Sequence, residues 1–106
     1  MRISFERSGG FAGITMKTAV DEKDLAPGEA QQFRQLVEEA DFFNSPGKIT
    51  SRSPQPDRFQ YELRLEEKGR QHTVTMSEEA MPAKLKPLVN WLMGKARQAS
   101  KGKVSR

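Results

Sequence analysis

Apolar and polar residues alternate from Arg2 to Arg7, with Ile3 and Phe5 on one side and Arg2, Ser4 and Glu6 on the other. That period of two predicts a half-buried strand. After the connection Ser8-Gly9-Gly10-Phe11-Ala12-Gly13, a second alternating run places Ile14, Met16, Thr18 and Val20 on one face. The two runs read as a hairpin with a glycine-rich tip. The period then changes. Ala30, Phe33, Leu36, Val37 and Ala40 recur at helical spacing behind Pro27, a residue suited to a first helical turn, so an amphipathic helix is expected from about Pro27 to Ala40. Phe42 and Phe43 should fold back onto the core.

Residues 44–57 hold three prolines, Gly47 and several small polar side chains, and read as an irregular loop. Loops this long inside a small domain are often functional. Order returns with the clearest strand, where Phe59, Tyr61, Leu63 and Leu65 alternate against Arg58, Gln60, Glu62 and Arg64. A turn at Glu67–Arg70 leads to a fourth strand, Gln71–Met76. Ser77 is a candidate helix cap, and Leu85, Leu88, Val89, Leu92 and Met93 form a second apolar stripe with Trp91 at its edge; this helix is secure from about Pro87. The order ββαββα predicts an α+β fold, a four-stranded antiparallel sheet with two helices packed on one face. If the first helix climbs back alongside the strands, the Ser8–Gly13 tip and the 44–57 loop share one end of the molecule.

At 106 residues the chain fits one domain. Residues 1–97 are expected to form it, and residues 98–106 a basic, disordered tail. Without cysteine there can be no disulfide, thiolate metal site or cysteine nucleophile. No cofactor is expected. The opening residues lack a leader pattern and no run is apolar enough to span a membrane, so a cytoplasmic monomer without membrane association or small-molecule substrate is expected. The net charge of +4 is localised: no acidic residue follows Glu79, while Lys95, Arg97, Lys101, Lys103 and Arg106 are basic. The alternative reading that follows is a nucleic-acid-binding module acting through the C-terminal segment.

Catalytic chemistry is hard to assemble. His72 is the single histidine and lies mid-strand, which suits a satisfied structural role. Glu38-Glu39, Glu66-Glu67 and Glu78-Glu79 are adjacent pairs that read as solvated charge. The glycines at 9, 10 and 13 join two strands, without the helix or lysine of a phosphate-binding loop. The chain therefore reads as a binding domain and not an enzyme, with Phe11 on the glycine-rich tip as a candidate anchor for a partner's pocket. Asp57 stands alone as an acid between Asp41 and Glu62.

Five segments together carry a family resemblance: Arg2–Gly13, Ala40-Asp41-Phe42-Phe43, Asp57-Arg58-Phe59-Gln60-Tyr61, His72-Thr73-Val74 and Leu88-Val89-Asn90-Trp91-Leu92. In this order and spacing they resemble the emfourin family, small bacterial protein inhibitors of protealysin-like metalloproteases, which belong to the thermolysin family. The resemblance extends to about Arg97. It implies a partner protease with one catalytic zinc and a subsite for bulky apolar side chains. Under that implication the protease-binding residues are Ser8, Gly9, Gly10, Phe11, Ala12, Gly13, Pro56, Asp57 and Arg58. Asp57 is then the candidate carboxylate for the partner's zinc, which keeps an open coordination position, and Asp41, Asp21 and Asp24 are its rivals.

Overall fold

The computed structural model describes residues 1–9, 15–49 and 59–104, with side chains as far as Gln98. Strands β1 (Arg2–Gly9) and β2 (Met16–Asp21) precede helix α1 (Pro27–Ala40); β3 (Lys48–Ile49), β4 (Phe59–Glu67) and β5 (Arg70–Ser77) follow, and helix α2 (Lys86–Val104) closes the chain. The last turns of α2 enter the segment expected to be a tail.

Among the described residues the sheet has five strands, in the order β2-β1-β4-β5-β3. The four long strands pair antiparallel, as the alternation predicts, but β3 lies parallel to β5, with Lys48 beside Thr75 and Ile49 beside Met76. The four-stranded antiparallel expectation is corrected to a five-stranded mixed sheet. Its cause is tertiary: two residues carry no readable period, and β3 exists because β5 offers it an edge.

Register explains the core. Phe5 of β1 lies between Thr18 and Leu63, and Ile3 between Val20 and Leu65. One face of the sheet therefore presents Ile3, Phe5, Tyr61, Leu63, Leu65, Val74 and Met76, all buried, to the two helices. The helices answer with Phe33 and Val37 from α1 and Leu88, Val89 and Leu92 from α2. Phe33 stacks flat on Trp91, ring centres 5.4 Å apart, which locks the helices to each other. Phe42 is buried and Phe43 partly so, as expected. The opposite face stays polar, with Ser4, Glu6, Lys17, Glu62 and Arg64 lining a shallow cleft.

The path of α1 differs from expectation. It does not climb back along the strands. Arg34, near its middle, pairs with Glu22, which also meets the N-terminal ammonium at 3.4 Å, so α1 crosses the sheet at the end where β1 begins. The Arg34 guanidinium, and secondly the ammonium, hold the Glu22 carboxyl below its ordinary value of 4.5. At its far end Asp41 turns into the left-handed region (φ 51°, ψ 48°) and its N–H donates to the Glu38 carbonyl. Asn44 and Ser45 hold this aspartate in place: Asn44 Nδ2 donates to its carboxylate at 2.8 Å and Ser45 Oγ to its carbonyl at 3.2 Å. The chain then ascends along β5. Ser45 O accepts from His72 Nε2 at 2.7 Å, Gly47 O from Thr75 N at 2.9 Å, and β3 completes the climb.

Candidate functional site

Among the residues expected to bind a partner, Gly10, Phe11, Ala12, Gly13, Pro56, Asp57 and Arg58 lie outside the described residues. Ser8 and Gly9 are described, together with every residue that flanks the two loops. Ser8 pairs with Gln60, and Gly9 stands directly opposite Phe59. Residue 10 thus follows the strand partner of Phe59, and residue 58 precedes Phe59 itself. On the far side of β4, Gln60 faces Ser77 and Tyr61 faces Met76, whose other neighbour is Ile49. The last residue before the 50–58 segment and the first after it therefore flank β5 at one end of the sheet. Both loops leave from that end, although the route that brings the chain there is β3 and not α1.

Gly9 has φ 98°, a conformation open to glycine and strained for any residue with a Cβ. Beside it, Phe59, the first residue of β4, is held from two sides. The Arg7 guanidinium lies over the Phe59 ring, 4.2 Å from its centre. The Phe59 N–H donates to Glu78 Oε1 at 3.3 Å. Two polar atoms close by, Arg7 Nε and Ser77 Oγ, are buried and have no hydrogen-bond partner among the described residues. Ser77 precedes a short 3-10 turn, but its hydroxyl makes no cap bond there, so its expected role as a helix cap is corrected.

The reading of Glu78 as solvated charge is also corrected, because its carboxylate serves the Phe59 backbone. A signal for this was present. Counting outward equally from a two-residue turn at Lys68-Gly69 brings Phe59 opposite Glu78. Those two turn residues have φ 48° and 82°, the positive pair of a hairpin turn whose twist matches its strands.

The rival carboxylates lie elsewhere. Asp21 pairs with Arg2 at the far end, and Asp24 is in the turn just after it. Asp41, which the expected topology kept near the loops, instead lines a cleft with Met1, Glu67 and Arg70, also at the far end, and lies 3.9 Å from Lys84. His72 is occupied: its Nε2 donates to Ser45 and its ring meets Phe42 edge-on at 5.7 Å. Among the described residues no three His, Asp or Glu side chains gather where they could hold a metal ion. Tyr61 is buried and Phe59 lies beneath Arg7, so these rings do not form the open stacking platform that single-stranded nucleic acid uses.

Compared with protein families, residues 5–93 match Emfourin. The chain belongs to the emfourin family. Membership accords with the segments that carry the resemblance, all of which fall within or overlap the matched span. It makes the chain a protease inhibitor in general terms, with a protease as its partner. No curated protein and no solved structure matches the chain.

Proposed function

We propose that this chain inhibits a protealysin-like zinc metalloprotease of the thermolysin family by placing two neighbouring loops in its active-site cleft. Phe11, with Ala12, enters the apolar subsite, and the glycines at 9, 10 and 13 allow the tip to pass a narrow opening. The Asp57 carboxylate takes the open position on the partner's zinc, where water otherwise sits. The observation that carries this reading is the cross-strand pair Gly9–Phe59, which brings the bases of both loops to one end of the sheet. Asp41 lies at the other end of the sheet, where Asp21 and Asp24 were already expected, and this favours Asp57 over those rivals.

The test is a titration of the chain into a protealysin-like enzyme while hydrolysis of a small chromogenic peptide is followed. Stoichiometric loss of activity is expected, weakened severely by Asp57→Ala and by Phe11→Ala while thermal unfolding stays unchanged. Full enzyme activity at a large excess of the chain would overturn the inhibitor reading, and unchanged inhibition by Asp57→Ala would remove that carboxylate from the mechanism.

A further inference from the structure

Phe59 is gripped by two charged side chains from different elements, although a strand residue already has ladder bonds to place it. Arg7 reaches from β1 to cover its ring, on the diagonal that neighbouring strands bring into reach. Glu78 reaches back from the turn after β5 to accept its N–H. Each contact, one hydrogen bond to a charged group and one cation over a ring, is modest by itself. Their placement is what distinguishes them. Phe59 is the first described residue after the 50–58 segment, and Asp57 is two residues upstream in sequence, a reach of at most about 7 Å.

We propose that Arg7 and Glu78 are positioning residues for the inhibitory loop: they clamp Phe59 so that the segment carrying Asp57 starts from a fixed base. The inference rests on the inhibitor reading above. Its physical content is pre-organisation. A loop that samples its binding-competent arrangement only part of the time binds more weakly by that fraction, and ordering flexible segments on association is costly. Arg7 is suited to the task because its planar guanidinium stacks on a ring while its charge remains.

The experiment uses the full chain with Glu78→Ala, Glu78→Gln and Arg7→Lys, and reads two quantities. The first is hydrogen exchange at the Phe59 amide, which needs no protease. The second is the inhibition constant against a protealysin-like enzyme. In Glu78→Ala the amide should exchange faster and inhibition should weaken roughly tenfold or more. Glu78→Gln keeps an acceptor oxygen and should restore most of both. Arg7→Lys keeps the charge without the stacking plane and should fall between. An Arg34→Ala variant, altered at the opposite end, controls for any loss of overall stability and should inhibit like the wild type. Wild-type inhibition with an equally potent Glu78→Ala would overturn the positioning role alone. Unchanged exchange at Phe59 would overturn the clamp itself. A wild type that does not inhibit would bring down the functional reading, and the positioning role with it.

Discussion

The same small substitution at three glycines separates the stability of this fold from the location of its working surface. Gly9 (φ 98°) and Gly69 (φ 82°) both occupy backbone conformations that an L side chain resists. A Cβ added at Gly69 would meet no atom within 4 Å, so conformation and not crowding sets its cost. Placing alanine at such a position costs about 1–2 kcal/mol. For a domain near this size each kcal/mol moves the unfolding midpoint by about 4–8 °C, so Gly9→Ala and Gly69→Ala should each lower it by roughly 5–15 °C. Gly94 lies inside α2 with open space around it, and there alanine should raise stability by about 0.8–1.0 kcal/mol through helix propensity. Inhibition should not follow this order. Gly9 is the base of one loop, whereas Gly69 is in the turn at the other end of the sheet. If Gly9→Ala relaxes by swinging the loop away, binding must reimpose the strain, and each 1.4 kcal/mol of it weakens inhibition about tenfold. Circular dichroism melts and titration of a protealysin-like enzyme give both quantities. Equal weakening by Gly9→Ala and Gly69→Ala would mean that inhibition tracks stability, and would refute the assignment of the Gly9–Phe59 end as the binding surface.

Two further outcomes concern the scaffold. Phe33 is fully buried against Trp91, so Phe33→Ala should cost about 3–5 kcal/mol, a large share of a small domain's stability, and a denaturant midpoint that barely moves would show that the helix stack is unimportant. Glu22 is held below its ordinary value of 4.5 in the folded state, so its contribution is present above that pH and is lost as pH falls through the lower folded value. The gap in unfolding midpoint between wild type and Glu22→Gln should accordingly close on acidification; a gap that stays constant from neutral pH to strongly acidic conditions would contradict the pairing with Arg34.

Much of this fold was legible because period and burial coincide. Phe59, Tyr61, Leu63 and Leu65 alternate along the chain and turn one face to the core in space, and the stripe from Ala30 to Ala40 is the helix Pro27–Ala40. What stayed hidden depends on relations between elements. An apolar stripe says which side of a helix is buried but not which way it runs, so the transverse course of α1 and the displacement of Asp41 had no local signal. Lys48-Ile49 became a strand through a neighbour's edge, in a stretch whose prolines argued against one. The grip of Glu78 on Phe59 was recoverable, since it needed only the register of a two-residue turn. At the candidate site most of the residues that the family segments named lie outside the described ones, and the pairing of Gly9 with Phe59, which no local pattern announces, is what brings the flanks of the two segments together.

The pairing of β1 with β4 also governs how this molecule comes into being. Between Gly9 and Phe59 the chain makes β2, α1 and β3, so this pairing closes a long loop, a slower event than forming the local hairpin of β4 and β5. A nascent chain released only as far as Ile49 already holds one loop of the pair but has no β4 to set beside it. The surface at that end is therefore assembled late, after translation has passed the middle of the chain.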